Sequence, residues 1–154
     1  STTTVTITIT GTDDAPVISS DADRIIEGST DVLDGTLTAT DVDGDAPSFN
    51  ANTINDDYGT FVINADGTWT FDLADNPTVD ALAEGQEEQR VFTVTLSNGS
   101  TTTVTITITG TDDAPVISSD ADRIIEGSTD VLDGTLTATD VDGDAPSFNA
   151  NTIN

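Results

Sequence analysis

Alternating apolar and polar positions predict that most of this chain is β-strand. Ser1–Thr10 places Val5, Ile7 and Ile9 between threonines, which is typical of a strand with one buried face. The same period of two recurs in five further segments, which are Gly35–Thr40, Gly59–Asn64, Gly67–Leu73, Val91–Leu96 and Val104–Ile108. Val17–Ser19 and Arg24–Glu27 are shorter, and they predict one first strand that is broken between its two pieces.

Turn residues join these segments into hairpins. Ala65–Gly67 separates one pair of predicted strands, and Asn98 with Gly99 separates the pair that gives the strongest hairpin signal. Between the hairpins, Asn76 and Pro77 have the residue types that begin a helix, and Gly85 can end it. We therefore expect a helix of one or two turns between the two hairpins.

About seven short strands with one helical crossover predict an all-β fold, an antiparallel Greek-key sandwich of the immunoglobulin type. Trp69 alternates in register with Phe71 and Leu73, so we expect its side chain to lie in the core. The threonines on the outer faces are interpreted as strand-forming residues in contact with water.

The chain is a tandem repeat, because residues 100–154 copy residues 1–55 letter for letter, with a period of 99 residues. Solenoid units are shorter than this, whereas a two-sheet sandwich needs about 100 residues. We predict that residues 1–10 are the final strand of a preceding repeat and that residues 11–111 are one complete immunoglobulin-like repeat. Residues 112–154 are then the first, incomplete half of the following repeat.

The net charge limits the range of possible functions. The chain has 29 acidic residues but only three arginines and no lysine, which gives a formal charge of -26. Binding to nucleic acid or to an anionic membrane surface is therefore implausible. No apolar run approaches the 18 or so residues of a membrane span, so membrane insertion is not expected either. The chain has no cysteine, which means that no disulfide contributes to the fold.

The acidic residues concentrate in loops that the sandwich would bring together. Because strands alternate in direction, the loop of Asp41, Asp43 and Asp45 should lie where the chain enters the repeat, beside Asp13 and Asp14. Glu27 should lie at the opposite pole, facing the next repeat, with Asp80, Glu84 and Glu87. Including the second copy, the predicted metal ligands are Asp13, Asp14, Glu27, Asp41, Asp43, Asp45, Asp112, Asp113, Glu126, Asp140, Asp142 and Asp144.

Calcium is the cation that suits these ligands. Two carboxylates about 4 Å apart near a surface repel by roughly 4 kcal/mol, so a cluster of four or more requires a counter-ion. Hard oxygen ligands without histidine or cysteine favour Ca²⁺ over zinc or copper. The 1, 3, 5 spacing from Asp41 is that of an EF-hand, but Ala46 and Asn52 stand where that loop needs glycine and glutamate. The open alternative is a solvated acidic surface, which is our interpretation for Asp56, Asp57 and Glu88.

Several motifs resemble the VCBS repeat family. They are EG at 27–28, GTLTATDVDGD at 35–45, YGTF at 58–61, DGTWTF at 66–71, ALAEG at 81–85 and TVTITITGTDDAP at 103–115. The resemblance covers the whole chain and implies a cadherin-like or immunoglobulin-like module of a very large bacterial RTX adhesin, exported by type I secretion. Such a protein is extracellular, acts at the bacterial cell surface and is associated with biofilm. The junction is also similar to the cadherin linker, although the asparagines of that linker are replaced here.

These observations predict a non-catalytic extender, or spacer, whose partners are the neighbouring repeats of the same chain, joined through calcium-bridged linkers. Residues 100–154 do not differ from their first copy at any position, whereas a binding module needs loops that vary. The alternative is a glycan- or protein-binding module of a cell-surface protein. Paired carboxylates also occur in glycosidases, but the chain has no motif of an activated nucleophile, so neither an enzyme nor a small-molecule substrate is expected.

Overall fold

In a computed structural model that describes residues 1–153, residues 17–109 form two β-sheets that pack face to face, together with a separate pair of short strands. The elements of this sandwich are β1 (Val17–Ile18), β2 (Asp21–Ile26), β3 (Val32–Thr36), β4 (Ala39–Thr40), β5 (Asn52–Asp56), β6 (Gly59–Ile63), β7 (Thr68–Leu73), α1 (Pro77–Asp80), β8 (Glu87–Thr95) and β9 (Thr101–Thr109). Two short strands follow, β10 (Val116–Ile117) and β11 (Ala138–Thr139). Asn154, the last residue of the predicted third segment, lies outside the described residues.

The two facing sheets have the order β2-β9-β8 and β3-β7-β6-β5, and β1 pairs with β4 in a separate two-stranded sheet. In the second sheet three consecutive strands form a meander and β3 returns beside β7, which is the Greek-key arrangement predicted. The prediction of antiparallel pairing needs one correction, because β2 runs parallel to β9 over six residue pairs. β9 is thus the central strand of the smaller sheet, with β8 antiparallel on its other side.

Aromatic side chains from both sheets form the centre of the core. Phe61 and Phe71 of the larger sheet pack against Phe92 of β8, with the Phe61 and Phe92 rings stacked 4.7 Å apart, and Trp69 stacks on Phe61. Trp69 is 1% exposed, which confirms its predicted core position. Its indole Nε1–H donates to Asp21 Oδ2 at 3.0 Å and so connects β7 to β2 at one open edge of the sandwich.

Three strand predictions needed correction. The segment Gly35–Thr40 is not continuous, because the chain leaves β7 after Thr36 and its last residues pair with β1 as β4. Asp21–Asp23 was expected to interrupt the first strand, but it belongs to β2. β5 was not predicted at all, since Ile54 is its one partly buried apolar residue. With β1 and β2 counted as one broken strand, and β3 and β4 as another, the repeat has the predicted seven strands.

The helix and both hairpin turns form as expected. Asn76 caps α1 by accepting hydrogen bonds from the backbone N–H groups of Thr78 and Val79, while Pro77 occupies the first turn. Gly67 and Gly99 adopt φ angles of 89° and 86°, which favour glycine in these tight turns. Val79 and Leu82 are buried, so the crossover is anchored by its apolar residues.

The segment Ser1–Thr10 does not form the strand that its alternation predicts. Residues 1–16 contain no strand, and Val5, Ile7 and Ile9 are at least 80% exposed. Residues 112–153 form only the pair β10–β11, which repeats β1–β4. The reason is physical, because a strand needs a hydrogen-bonded neighbour. In the complete repeat the neighbours are β2 and β8 for β9, the copy of Thr2–Thr10, and they are β9, β7 and β6 for β2, β3 and β5, whose sequences recur in residues 112–153.

Candidate metal centre at the repeat boundary

Two acidic triads form, one at each copy of the linker. Carboxylate oxygens of Asp13, Asp43 and Asp45 lie within 4.8 Å of one another, and the same is true of their copies Asp112, Asp142 and Asp144. Oxygens that bind one Ca²⁺ at 2.3–2.6 Å cannot lie farther apart than about 5 Å, so both triads have a compatible spacing. The prediction that the loop after the second strand lies beside the chain entry is therefore confirmed in both copies.

Local hydrogen bonds hold the first triad's loop in shape. Asp41 Oδ1 accepts a hydrogen bond from the Asp43 N–H at 2.8 Å, and Gly44 follows with a φ of 89°. Asp14 takes part through its backbone, whose N–H donates to Asp43 Oδ2 at 2.7 Å. Its carboxylate does not belong to the triad, so Asp14 and Asp41 support the loop, while the other three predicted residues converge.

The second triad repeats these contacts in a more buried setting. The Asp113 N–H donates to Asp142 Oδ2 at 2.8 Å, and the Asp142 N–H donates to Asp140 Oδ1 at 3.0 Å. Both bonds are partly buried, whereas their copies in the first triad are exposed. Asp142 Oδ1 is buried without a hydrogen-bond partner. A buried, unpaired carboxylate oxygen is costly, and a bound cation would satisfy it.

The complete repeat contributes further acids to this second site. Glu27, immediately after β2, is 8% exposed, and its Oε2 accepts a hydrogen bond from the Thr111 N–H at 2.8 Å. Glu27 also feels the charges of Asp80, Asp113 and Asp142, so it lies at the boundary as predicted. Asp80, in the last position of α1, was placed at this pole from the sequence but was not among the predicted ligands.

Crowding raises the pKa of several of these acids. For Glu27 burial is the largest cause of the raised pKa, the hydrogen bond from Thr111 opposes the rise, and the neighbouring carboxylates add smaller contributions to it. For Asp113 partial desolvation comes first and the charges of Asp142 and Asp80 follow. The charge of Asp140 is the main reason that the pKa of Asp144 is raised, and Asp41 has the same effect on Asp45. The site is thus a set of mutually repelling carboxylates.

The arginines do not neutralise these triads. Arg24 pairs with Glu87, and Arg90 pairs with Asp56 and Glu88 while lying over the Tyr58 ring. Asp56 and Glu88 are therefore structural ion-pair partners, which corrects their interpretation as solvated acids. Glu87 lies at the predicted pole, but its carboxylate is already paired with Arg24. The other acidic side chains at the boundary offer only oxygen atoms as metal ligands, and such a ligand set fits a hard divalent cation.

Glu126, the copy of Glu27, is exposed and is not part of a triad. In the complete repeat Glu27 is held because its N–H donates to the Thr109 carbonyl at the end of β9. Residues 112–153 include the copy of β2 but no strand beside it. The prediction that Glu126 is a ligand consequently remains a prediction.

Backbone hydrogen bonds hold the linker directly after β9. Gly110 is buried and its N–H donates to the Gln86 carbonyl at 2.8 Å. The Gly85 N–H donates in turn to the Gly110 carbonyl at 3.1 Å. Together with the Glu27–Thr111 bond, these contacts fix the chain up to Thr111, directly before the second triad.

The family model of the bacterial cadherin-like domain matches residues 13–110. The chain belongs to this family. The matched region runs from Asp13 of the first acidic triad to Gly110 after β9 and contains the whole sandwich. Bacterial cadherin-like domains are extracellular or surface repeats of the adhesion type, and the family is typically non-catalytic. No curated protein matches the chain.

Membership in the cadherin-like family agrees with the acidic boundary, because such domains often bind calcium. Within residues 1–153, no helix combines the length and apolarity needed to cross a bilayer. An apolar groove of about 510 Å³ opens between β2 and β3. Its only acidic lining residue is Asp31, so it does not contain the paired carboxylates of a glycosidase.

Proposed function

We propose that this chain is a calcium-stiffened spacer of a large bacterial surface adhesin of the VCBS and RTX type. In this role it is secreted and its repeats project a distal binding region from the cell, where the adhesin contributes to biofilm. The observation that carries the proposal is the convergence of acids from two successive repeats on one boundary. Glu27 and Asp80 approach from the complete repeat, and Asp113 and Asp142 approach from the next.

In this proposal the ion is held by Asp112, Asp142 and Asp144, whose carboxylate oxygens lie within 4.8 Å of one another. Glu27, Asp80 and Asp113 interact electrostatically at the same boundary and are proposed to supply the remaining ligands. Calcium, when bound, supplies the positive charge that this set lacks. Without that charge, repulsion between Glu27 and the Asp113–Asp142 pair favours separation of the two repeats. With the repulsion removed, the Glu27–Thr111 hydrogen bond and the Gly110 clamp hold the boundary in one geometry.

The location of the acids favours a spacer over a binding module. The large aromatic side chains that often anchor ligands, Trp69, Phe61, Phe71 and Phe92, are at most 4% exposed and fill the core. The acids that repel one another most lie at the poles, where consecutive repeats meet. A spacer requires length and stiffness, and both are set by the boundary.

Calorimetric titration with calcium tests the proposal on Glu27→Gln, with Glu84→Gln as the matched control. We expect a dissociation constant of the order of 10⁻⁴ to 10⁻³ M, as in extracellular modules. Glu27→Gln should weaken binding by about tenfold or more, because it removes a ligand charge while an amide oxygen can still accept the Thr111 bond. Exposed Glu84 lies outside the converging set, so its variant should bind normally. Equal affinities of the two variants, or no heat of binding at all, would refute the site.

A further inference from the structure

One broad face of the sandwich carries no net charge, in a chain whose formal charge is -26. In β9 the side chains of Val104, Ile106 and Ile108 are buried in the core, so the threonines that alternate with them form the outer face of the β2-β9-β8 sheet. The register adds the residues that lie opposite these threonines on the two neighbouring strands. We define the neutral face as the odd-numbered residues of β8 and β9 and the even-numbered residues of β2.

Most acidic residues of these three strands point away from the neutral face. Asp21 and Asp23 alternate inward on β2, where the Asp21 carboxylate accepts a hydrogen bond from the Trp69 indole N–H. Glu88 alternates inward on β8 and pairs with Arg90. β9 contains no acidic residue. Alternation along the strands thus turns three carboxylates away from this surface.

The one acidic residue on the neutral face is neutralised there. Glu87 Oε1 accepts a hydrogen bond from Arg24 Nη1 at 2.7 Å. Arg24 and Glu87 belong to the strands on either side of β9, so their ion pair crosses the face. The other residues of the face are threonine, glutamine, alanine, valine and isoleucine, which are all uncharged.

The outer face of the other sheet does not share this property. Asp34 lies opposite Thr70 and Asp72 lies opposite Val32, and both carboxylates are exposed. Within residues 1–153, neither of them forms an ion pair with an arginine. Of the two broad faces of the sandwich, only that of the β2-β9-β8 sheet is therefore without net charge.

We propose that the neutral face is an interaction surface for a second copy of this chain, with the two β2-β9-β8 sheets packed face to face. A second copy carries the same charge of -26, and this is the broad face on which two copies can meet without opposing like charges. Ile26 and Val91 are each 60% exposed on it and supply apolar contact area. Because both copies use the same surface, the contact is isologous and closes as a dimer.

A second copy fits the neutral face better than a sugar or another small molecule does. Such ligands bind in concave sites that are lined by apolar and aromatic side chains. The neutral face is one side of a sheet, and Phe92, the one aromatic residue of its three strands, lies in the core and is 4% exposed. A surface of threonines with two exposed apolar residues suits contact with another sheet.

The size of the neutral face makes a single pairing weak. Three strands of up to nine residues give a face of about 30 Å by 14 Å, or roughly 400 Å² per copy. Stable complexes bury about 1,200–2,000 Å² in total, so one pair of faces falls below that range. In the proposed spacer complete repeats follow one another, and linked pairings then reinforce one another through avidity. This last step rests on the proposed function, whereas the pairing of single faces does not.

Nuclear magnetic resonance of the isotope-labelled chain over a range of concentrations tests the pairing, in chelator with high sodium chloride. Salt screens the overall repulsion and the chelator removes calcium from the boundary, so the result is independent of the proposed calcium site. We expect the amide signals of Thr103, Thr105 and Val91 to shift as the concentration rises, while those of Val32 and Thr70 stay constant. Signals of the neutral face that do not shift, or that shift no more than those of Val32 and Thr70, would overturn the pairing.

Val91→Glu and Val32→Glu form a matched pair of variants. Both replace a valine on an edge strand, 60% and 51% exposed, and both add one negative charge, but on opposite outer faces. Val91→Glu should weaken association by about tenfold or more, because like charges are brought together in the contact. Val32→Glu should leave association unchanged. Equal effects would show that net charge alone controls association and would overturn the assignment to the neutral face.

Arg24→Gln tests whether the absence of net charge matters. It leaves Glu87 without its partner, so association should fall about as far as in Val91→Glu, again by about tenfold. Combining Arg24→Gln with Glu87→Gln removes both charges and should restore association. An exposed ion pair contributes little to stability, so fluorescence of buried Trp69 should verify that each variant remains folded. A double variant that associates as weakly as Arg24→Gln would overturn the electrostatic basis of the pairing.

Sedimentation velocity of a protein of four complete repeats tests the role of repetition in the same buffer. Its association constant should exceed that of this chain by about tenfold or more, and Val91→Glu in every repeat should abolish the gain. If four repeats associate no more tightly than one, the avidity step is wrong while the pairing of single faces stands. Dextran is the probe for a sugar ligand, and dextran bound at the neutral face by a monomeric protein would overturn the pairing. Calcium binding is measured on Val91→Glu, so a failure of the proposed function is distinguished from a failure of association.

Discussion

At the scale of single residues, Gly110 and its copy Gly11 have opposite environments. A Cβ at Gly110 would collide with the carbonyl oxygens of Leu82 and Ala83, whereas a Cβ at Gly11 would meet nothing within 4 Å. The difference arises because the Leu82–Gln86 turn closes around Gly110 through two backbone hydrogen bonds. The glycine is needed for close approach of two backbones and not for flexibility.

Gly110→Ala should therefore destabilise the sandwich by about 1–3 kcal/mol, the usual cost of overpacking against backbone that cannot move away. Gly11→Ala is the control, because Gly11 stands in the same local sequence as Gly110. It should change the free energy of unfolding by less than about 0.5 kcal/mol. Urea unfolding followed by Trp69 fluorescence measures both variants. Equal effects would mean that the linker does not pack against the helical crossover.

Arg90 is a second residue with a structural role that composition conceals. Burial alone would raise the pKa of Asp56, but hydrogen bonds from Arg90 and the Tyr58 N–H, with the charge of Arg90, hold it below its ordinary value. The Arg90–Asp56 pair joins β8 to the end of β5, and these strands belong to different sheets. An acidic residue can thus stabilise the fold even in a chain with a formal net charge of -26.

Asp56→Asn should lower the free energy of unfolding by about 1.5–3 kcal/mol, the range for a hydrogen bond to a charged group. Neighbouring Asp57 is exposed, so Asp57→Asn should change stability by less than about 0.5 kcal/mol. Chemical denaturation of the two variants in the same buffer decides the matter. If Asp56→Asn is as stable as Asp57→Asn, Asp56 belongs to a diffuse acidic surface, as its sequence context suggested.

At the scale of elements, the acidic loop Asp41–Asp45 and its copy are each subject to two opposing effects. The loop Asp41–Asp45 is shaped by its own hydrogen bonds, so it forms in both copies, including the copy without a sandwich around it. Its charges, however, raise the pKa values of Asp45 and Asp144. Local geometry and electrostatics therefore act in opposite directions, and the balance depends on pH and on cations.

The sign of the pH dependence follows from these shifts. Glu27, Asp45, Asp113 and Asp144 have pKa values raised above ordinary values of 4.5 for Glu and 3.8 for Asp. Just above those values the folded state retains protons that the unfolded chain has released, so this contribution to stability is lost as pH rises through the folded pKa. Calcium-depleted protein should accordingly melt at a higher temperature at about pH 5 than at pH 7.

With calcium present the direction should reverse, because the bound form needs ionised ligands. Asp56 and Asp66 have lowered pKa values, and their stabilisation is lost only as pH falls below about 3.8, outside this window. Scanning calorimetry at several pH values, with protein passed over a chelating resin, measures both curves. Stability that falls from pH 7 to 5 in both conditions would contradict this account.

At the scale of the whole molecule, the proposed spacer function makes the length of the protein depend on the boundary between repeats. A strand of about ten residues spans roughly 34 Å, so each repeat adds a length of that order if neighbours remain collinear. The chain is fixed up to Thr111, and residues 112–115 are the hinge that is left. Pro115 restricts Ala114 to extended conformations, so the acids that precede it decide whether the hinge bends.

Small-angle scattering on a protein of four complete repeats measures this directly. Its maximum dimension should increase when millimolar calcium is added, under conditions where each sandwich is already folded. High sodium chloride in chelator is the control, since it screens repulsion without bridging the repeats. A dimension that stays constant would remove the basis of the spacer mechanism, and full extension by salt alone would show that screening suffices.

The sequence by itself determined the repeat, the sandwich class, the hairpin turns, the capped helix and the meeting of each Asp loop with its linker. These features depend on local periodicity, turn chemistry and strand direction, which are written in neighbouring residues. β5 was not predicted because Ile54 is its only apolar residue, and Asp80 was not among the predicted ligands because its interaction with Asp113 joins residues more than 30 positions apart.

Only the tertiary structure decided which copies of a sequence become strands. Thr101–Thr109 is the central strand of a sheet while Thr2–Thr10 is not a strand, and Asp21–Ile26 is a strand while Asp120–Ile125 is not. The letters are the same in each pair, and what differs is the presence of hydrogen-bonding neighbours and an opposing apolar sheet. A β-strand needs partners that are distant in the sequence. An alternating apolar and polar pattern therefore shows that a segment can form a strand, and the surrounding chain determines whether it does.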